Sequence, residues 1–583
     1  MKRSYIKIIL VLSISSVLFY ACKKEFLERA PLGSLDQGNL TTSAGVRGLL
    51  IGAYSLLDGY GGAGGGFATA ASNWVFGGVA SDDAYKGSDP GDQADIVSIE
   101  TYSANASNPY FESKWRHLYD AIQRSNDVLR VMADVKGMSD TEKKVAGAEA
   151  RFLRAHYHFE AKRMWNMIPY VDETITYAKA NILVANDKDI WPNIEADLKF
   201  AVANLPATQP AIGRANSWAA KAYLAKVYMY QKKYAEAKTL LDDVITNGTT
   251  ASGKKYDLVN FFDNFNPETK NSVESVFSAQ MSVNDNSGGS NGNWGDVLNF
   301  PYNGGPGGCC GFYQPSQSLV NSYRVDTDGL PFLDNFNSVD VKNDQGLKSD
   351  DPFTLETAPL DPRLDITVGR RGIPYLDWGV HPGNNWIRDQ ANGGPYAPKK
   401  SVYAKRQQGA LTDKSFWSTG ITANNYTIIR FADVLLMAAE AEVEVGSLDK
   451  AKDLVNRVRQ RAAAPEGWVK TYVDPAAPEK GFTSTPAANY KIGLYPAFPD
   501  KVYARKAVRF ERKIELAMEG SRFFDLVRYG TAAEELNAYI AVEKNRRSYL
   551  NNASFTKAKN EYFPIPRNQI DLSKGTLKQN PGY

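Results

Sequence analysis

Apolar positions recur with a helical period near both ends of the chain, and between the two ends lies a long interval in which no period is sustained. The stretch "EKKVAGAEARFLRAHYHFEAKRMW", Glu142 to Trp165, predicts one long helix. "YLAKVYMYQKKYAEAKTLLDDVI" and "LLMAAEAEVEVGSLDKAKDLVNRV" each predict two helices with a short turn between them. From about residue 250 to 425, Gly, Asn and aromatic residues displace the periodic pattern and predict irregular, loop-rich structure.

The two predicted helix pairs share a spacing. Ala225 is followed twelve residues later by Ala237, and Ala439 twelve residues later by Ala451. In each case an apolar residue stands three positions before the second alanine (Tyr234, Leu448), and others stand four and seven after it (Leu241 and Val244; Val455 and Val458). Small residues let two antiparallel helices approach closely, and the larger ones interlock with the next pair, which is the tetratricopeptide-like arrangement. The expected fold is therefore mostly α: a scaffold of helix pairs carrying an irregular segment that holds the ligand surface. The expected organisation is a leader over 1–21, a helical region over 22–249, the loop-rich segment over 250–425 and a second helical region over 426–583, with 22–583 packed as one compact domain.

The leader has a basic start (Lys2, Arg3, Lys7) and the apolar run "IILVLSISSVLFY", the length of a signal-peptide core and too short to cross a bilayer comfortably. It ends in "LFYACKK", with Ala21 before Cys22. This resembles a bacterial lipobox, at which the peptidase cuts before the cysteine, the thiol takes diacylglycerol and the new amine is acylated. Phe19 departs from the usual aliphatic residue. Lipid anchoring at Cys22 is the expectation, since several acyl chains at about 0.8 kcal/mol per buried methylene hold a protein durably on a membrane.

Composition adds little to this. With 583 residues, 43% hydrophobic and 12% aromatic, the chain can bury a large core. Its formal charge is +3, and three of its cations lie in the leader, so the remainder is balanced and nothing recommends nucleic acid as a partner. The other two cysteines are the neighbours Cys309 and Cys310 in "GGPGGCCGF". Adjacent cysteines can close only a small ring, for which the flanking glycines could supply the backbone angles. Such a ring would be a stiff apolar knob, and two free thiols are the equal alternative. No His or further Cys is near enough to make a metal site.

Catalytic patterns are missing. In "RFERKIELAMEGSRFFDLVRYG", Glu511, Glu515 and Glu519 recur every four residues, so they are expected along one helix face with Arg512 and Arg522 placed to answer them. Carboxylates projecting in parallel from one face cannot flank a glycosidic bond from opposite sides, so an ion-pair network is expected. His156 and His158 are two positions apart, which turns their rings about 200° from each other on a helix. His117 and His381 stand alone, and no zinc-protease, phosphate-loop or nucleophile-elbow motif occurs. "RVDTDGL", Arg324 to Leu330, lacks the closing glutamate of a calcium loop and predicts a turn. No enzyme activity, cofactor or metal is expected.

Several of these stretches together resemble the SusD/RagB family of Bacteroidota outer-membrane lipoproteins. "AEARFLRAHYHFEAKRMWNMIPY" is similar to the family's Arg-x-x-Arg-Ala helix and Ile-Pro corner, and "YTIIRFADVLLMAAEAEVEVG" with "AKDLVNRVRQRA" to its Arg-x-Ala-Asp-Val-Leu-Leu and Asn-x-Val-Arg-x-Arg-Ala blocks. Glu511-Arg512, Glu515-Leu516, Glu519-Gly520 and Asp525 to Arg528 resemble its Glu-Arg, Glu-Leu, Glu-Gly and Asp-Leu-x-Arg series. "LDPRLDI", the Asp328-Gly329 turn, and the end "EYFPIPRNQIDLSKGTLKQNPGY" complete the set in order. The resemblance implies a non-catalytic surface receptor that captures oligosaccharides and acts as a lid over a SusC-like TonB-dependent transporter in the outer membrane. Glu25 and Glu28 weakly resemble the signal that sends such lipoproteins to the surface. A peptide receptor of the same family is the alternative, and a glycan-processing enzyme a more remote one.

Ligand recognition is expected in the loops. A sugar ring offers an apolar C–H face and a rim of hydroxyls, so its receptor needs flat aromatics beside amide, carboxylate and guanidinium groups. Candidates are Trp294, Tyr302, Phe312 and Tyr313 with Asn291, Asn293 and Asn303; Asn73, Trp74, Asp82, Asp83 and Tyr85; and Trp378, Asn384, Trp386 and Arg388. Trp294 is the foremost expected platform, with Trp74 and Trp386 as alternatives. Packing beneath a loop is the competing role for each aromatic, and for Phe312 and Tyr313 the favoured one.

Overall fold

The structure, a computed structural model, describes residues 40–63, 65–415 and 418–583; the leader, Cys22, Glu25 and Glu28 lie outside the described residues. The first helical series comprises α1 (Ser43–Tyr54), α2 (Pro109–Met132), α3 (Asp140–Trp165), α4 (Trp191–Asn204), α5 (Ser217–Tyr230) and α6 (Tyr234–Asn247). The second comprises α7 (Phe431–Val445), α8 (Leu448–Ala463), α9 (Lys501–Glu515), α10 (Arg522–Tyr529) and α11 (Ala532–Glu543). Their starts are encoded locally. Ser139 and Glu142 form a reciprocal capping box on α3, Asn108 caps α2 with Pro109 at its first position, and Asn216, Ser447 and Asp500 cap α5, α8 and α9.

Successive helices stack in order: α2 on α3, α3 on α4, α4 on α5 and α5 on α6, after which α6 packs directly on α7 and α7 on α8. The stack thus runs on across residues 248–430, whose chain leaves and returns to it. The spaced alanines explain this continuity. Ala225, Ala237, Ala439 and Ala451 are fully buried, as are Leu241, Val244, Val455 and Val458, while Tyr234 and Leu448 pack against the same core from its edge. The two pairs with the shared spacing, α5/α6 and α7/α8, are therefore neighbours in space. The same core reaches from Val46 to Leu577.

Strands are short and occur in pairs. β1 (Ala84–Gly87) pairs with β3 (Phe312–Pro315), β2 (Ser275–Ala279) with β6 (Tyr426–Arg430), β4 (Val368–Gly369) with β5 (Ala397–Pro398), and β7 (Lys470–Tyr472) with β8 (Phe482–Pro486), all antiparallel. The β2–β6 pair ties the beginning of the irregular segment to its end, immediately before α7.

The charged stretch at Arg509–Gly530 is an ion-pair network, with two corrections to its expected geometry. Helix α9 ends at Glu515, and Glu519 lies beyond it in a turn where Met518 and Gly520 have positive φ, so the three glutamates do not share one helix face. Nor do Arg512 and Arg522 answer them. Arg512 pairs with Asp433 at 2.7 Å and Asp525 at 3.2 Å, and Arg522 with Asp82 and Glu535, each at 2.7 Å. The partners come from distant motifs. Arg363 of "LDPRLDI" bonds Glu511 at 2.6 Å and Glu515 at 2.8 Å. Arg430 of "YTIIRFADV" bonds Glu515 at 2.6 Å and Glu519 at 2.9 Å, Arg459 bonds Glu511 at 2.8 Å, and Arg461 also reaches Glu515. Burial alone would raise the Glu515 carboxyl, but Arg461, Arg430 and Arg363 outweigh it and hold the group well below the usual carboxylate range.

The expected turn at Asp326 and the expected separation of the two close histidines are both present. Asp326 accepts hydrogen bonds from the N–H groups of Asp328 and Leu330 in a closed turn. His156 bonds the Tyr223 hydroxyl and His158 the Arg154 carbonyl, in separate surroundings. Among the described residues no helix is long and apolar enough to cross a membrane, and no cluster of three or more His, Cys, Asp or Glu could hold a metal.

Candidate functional site

Three loops from distant parts of the chain meet where β1 ends. The β1–β3 register sets Gly87 opposite Phe312, and the Ser88 N–H then donates to the Gly311 carbonyl. The loop after β1 folds on itself: Asp89 Oδ1 accepts the N–H groups of Gly91 and Asp92, and Lys86 Nζ donates to the carbonyls of Asp89 and Asp92, both at 2.7 Å. These are the turn bonds that Asp and Gly make locally.

Arg388 closes this loop from the other side. One guanidinium nitrogen donates to Ser88 Oγ at 3.0 Å and Asp92 Oδ2 at 2.7 Å, and the other pairs with Asp89 at 2.5 Å. The guanidinium also lies 5.4 Å from the Tyr302 ring centroid, a cation–π contact. Tyr302 is positioned by its own N–H donating to the Trp386 carbonyl at 2.8 Å. The loop it begins is anchored at Gly307, whose N–H donates to the Tyr403 hydroxyl at 3.1 Å, and at Gly311, whose N–H donates to the Phe300 carbonyl at 2.9 Å. A Cβ at Gly311 would stand 3.5 Å from that of Tyr302 and 3.6 Å from that of Arg388, which locates the convergence of the three loops.

The Cys309–Cys310 pair lies in this same loop and is closed as a disulfide. Gly307, Gly308 and Gly311 around it all adopt positive φ, the conformational supply that the flanking glycines promised. Cys310 is buried and Cys309 half-buried, so the knob rests on the core with one edge at the surface.

The face so formed has one aromatic ring, one guanidinium and two carboxylates, and the side chains of Arg388, Asp89 and Asp92 are 30%, 33% and 30% exposed, enough to meet a ligand. Asn303 is exposed beside Tyr302, and Asn384 is half-buried at the start of the turn Asn384–Trp386. Asp89 is held below its usual value, first by the Asp92 N–H and, against the small effect of burial, by Gly91 and Arg388 as well. The chemistry available is hydrogen bonding to hydroxyls around a stacking ring. Both carboxylates are tied to one guanidinium, which leaves no pair facing each other across a bond.

Tyr302 and Arg388 of the expected residues thus come together. The block 73–85 does not join them. Trp74 is fully buried, its indole N–H donating to the Gly295 carbonyl at 2.9 Å, with Phe312 and Tyr313 packed against its ring. Tyr85 is fully buried and donates to Glu543 at 2.6 Å. Asn73 donates to Glu160 at 2.9 Å, Asp82 pairs with Arg522 and Lys513, and Asp83 accepts the Met518 N–H at 3.0 Å. Burial, then the neighbouring Asp82, pushes Asp83 up to about 7. Both faces of this segment are covered, so residues expected at a surface serve packing.

Phe312 and Tyr313 are likewise core, and Asn293 is buried with its amide on Asp296. Trp386 is a further correction: it is buried edge-on to Tyr375 and His381, beneath the loop that carries Tyr302. Trp378 is half-buried and donates to the Tyr403 carbonyl at 2.9 Å. Trp294 is half-buried and stacks on Tyr60, with centroids 4.6 Å apart and planes 4° from parallel, so one indole face is already occupied. Asn291 is exposed and donates to Asp285 at 2.9 Å. Ser88, Asp89 and Asp92 were missed; the signal that could have found them is the polar turn "KGSDPGDQ" that follows the buried strand.

Comparison with known proteins bears on the family and the fold. The profile described as "SusD family" matches residues 273–583, and the one described as "Starch-binding associating with outer membrane" matches residues 78–229. SusD-like protein P25 of Formosa agariphila is 24% identical over 97% of this chain and 97% of its own length. A SusD-like protein of Bacteroides ovatus is 28% identical over 47% of this chain and 49% of its own length. Among solved structures, a laminarin-binding SusD-like protein superposes with a TM-score of 0.65 at 24% identity, covering 93% of this chain and all of its own. Surface glycan-binding protein A from Bacteroides thetaiotaomicron, in complex with laminarihexaose, superposes with a TM-score of 0.64 at 20% identity over 92% of this chain and 99% of its own.

Proposed function

The chain belongs to the SusD family, and from that premise we propose that it is a cell-surface glycan receptor: it captures oligosaccharides and hands them to a TonB-dependent transporter in the outer membrane, to which it is held by lipid on Cys22. The observation that carries the binding reading is the convergence of Tyr302, Arg388, Asp89 and Asp92 from three loops onto one partly exposed face. The glycan ligands named for the similar solved proteins, laminarin and laminarihexaose, support a carbohydrate as the ligand class, and the outer-membrane description of the family matching residues 78–229 supports the location.

The energetics suit capture followed by release. Sugar hydroxyls already bond well to water, so each exchange for a protein bond gains only about 0.5 to 1.5 kcal/mol. Stacking on Tyr302 adds apolar burial at roughly 25 cal/mol per Å². The expected affinity is micromolar to millimolar, about −8 to −4 kcal/mol. Calorimetry with laminarihexaose, maltohexaose, cellohexaose, mannohexaose and xylohexaose tests the reading. Tyr302→Ala and Arg388→Ala should each weaken the cognate glycan by roughly tenfold or more with an unchanged melting curve. Binding of peptides and no glycan would move the function to a peptide receptor, and hydrolysis of a glycan by the pure protein would make it an enzyme.

A further inference from the structure

A second concave site lies under the β7–β8 hairpin. It encloses about 530 Å³, within the range of small-ligand pockets. Phe262, Trp468 and Phe482 line it, with Asp263, Arg406 and Glu466 among its polar groups. Trp468 also borders an adjoining cavity of about 190 Å³, so the concavity continues past its indole.

The aromatic walls are held rigidly. Trp468 donates its indole N–H to the Ala462 carbonyl at 2.9 Å and meets Tyr490 edge-on at 5.7 Å. Phe482 stacks on Tyr472 at 5.0 Å, and the Tyr472 hydroxyl donates to the Leu376 carbonyl at 2.7 Å, which fastens the hairpin to the body of the protein. Phe482 nonetheless remains 47% exposed, an unusual position for a fixed phenylalanine. Asp263 supplies the polar counterpart. Burial, then Glu274, raises its carboxyl above the ordinary value, and no described residue offers it a hydrogen bond or a cation.

These features select a ligand class. A purely apolar ligand would leave the Asp263 carboxylate desolvated without a donor, which is costly. Three cations (Lys399, Arg406, Lys470) and three carboxylates (Asp263, Asp377, Glu466) line the cavity, so its charge is balanced and selects neither an anion nor a cation. A neutral ring with an apolar face and several hydroxyl donors satisfies both the aromatic walls and the carboxylate, while Arg406, paired with Glu268 at 2.7 Å, stands at the rim to donate to ring oxygens. We propose that this cavity is a second carbohydrate subsite, separate from the Tyr302–Arg388 face and built from Phe262, Trp468, Phe482 and Asp263. The proposal rests on the reading that the ligand is a glycan. Two weak subsites on one rigid body would retain a long polysaccharide more strongly than a short oligosaccharide, because the second contact forms at high effective concentration.

The test is calorimetry on the full mature chain with the five hexasaccharides named above, followed by affinity electrophoresis in gels containing the polymer of whichever hexasaccharide binds. Two binding sites per chain are expected. Tyr302→Ala should remove one and Trp468→Ala the other, each with an unchanged melting curve, and Trp468→Ala should reduce retention by the polymer. Phe482→Ala, at an exposed position, and Asp263→Ala carry the same expectation if Trp468→Ala fails to fold. A single site that Tyr302→Ala abolishes, and that Trp468→Ala or Phe482→Ala with Asp263→Ala leave untouched, overturns the second subsite and spares the glycan reading. Failure of the parent protein to bind any of the five overturns both.

Discussion

Glu515 shows how much one side chain can hold in this protein. It is fully buried and meets Arg363, Arg430 and Arg461, which arrive from three separate sequence motifs. Removing one partner from a buried ion network leaves uncompensated charge, at a cost of about 3 to 5 kcal/mol. Glu515→Gln should lower the melting temperature sharply while the protein that folds keeps its glycan affinity, measured on one sample; lost binding with an unchanged melting point would instead make this helix part of the site. Gly520 is comparably constrained, since it has φ of 69° and a Cβ there would overlap the Ser72 carbonyl oxygen. His158 gives the protein a pH dependence. Its Nε2 accepts the Val171 N–H at 3.2 Å and its Nδ1 faces the Arg154 carbonyl at 3.1 Å, an arrangement that fits only the neutral ring. Burial, and then Arg154, lowers it to about 3. An unfolded His protonates near pH 6.5, so between about 6.5 and 3 the unfolded state binds the extra proton, and this ring's contribution is lost as pH falls, by roughly 1.4 kcal/mol per pH unit. Asp83, raised to about 7, acts in the opposite direction as pH rises from about 4 to 7. The readout is therefore the difference between parent and His158→Gln: denaturant titrations from pH 7 to 4 should show a shallower acid slope in the variant, and identical slopes would refute the assignment.

At the scale of elements, the close approach of α5 to α6, of α6 to α7 and of α7 to α8 depends on small residues at their contacts. Ala237 and Ala451 are equivalent by spacing and both fully buried. Ala237→Leu or Ala451→Leu should cost about 1 to 3 kcal/mol through overpacking, seen as a lower urea midpoint. Leucine at exposed Ala235 on the same helix is the control, and equal stability of all three variants would contradict the interlocked packing. The loop elements follow a different logic. Tyr302 and Arg388 are placed by loop N–H groups that donate to the Trp386 and Phe300 carbonyls and the Tyr403 hydroxyl, and by Arg388 side-chain bonds to Ser88 and Asp92. Asp92→Ala removes one of Arg388's anchors without touching the helix stack. It should weaken glycan binding severalfold with little change in melting, and stability lost in place of affinity would make the contact structural.

For the whole molecule, the continuous helix stack supports loops that carry the two proposed ligand surfaces, and the proposed lipid at Cys22 would tether this body to the membrane. Cys22→Ser should move the protein from the membrane fraction to the soluble fraction. Retention of that variant on membranes in high salt, in cells lacking the transporter, would argue against lipidation.

The scaffold was legible because it is written in local periodicity. The spacing of Ala225 with Ala237 and of Ala439 with Ala451 announced the helix pairs, and cap residues such as Ser139 and Glu142 set a boundary. The ordered motifs identified the family before any fold was known. Tertiary structure alone decided which charges meet and which aromatics see solvent. Glu511, Glu515 and Glu519 suggested a network, yet their partners come from Arg363, Arg430 and Arg459, which no local spacing connects to them. Trp74 and Tyr85 read like Tyr302, as aromatics among polar and glycine-rich neighbours. The first two are buried because both faces of their segment are covered, while Tyr302 lies on a loop folded back over Trp386. Exposure is settled by what the rest of the chain lays over a residue, and that is long-range information that no stretch of sequence contains.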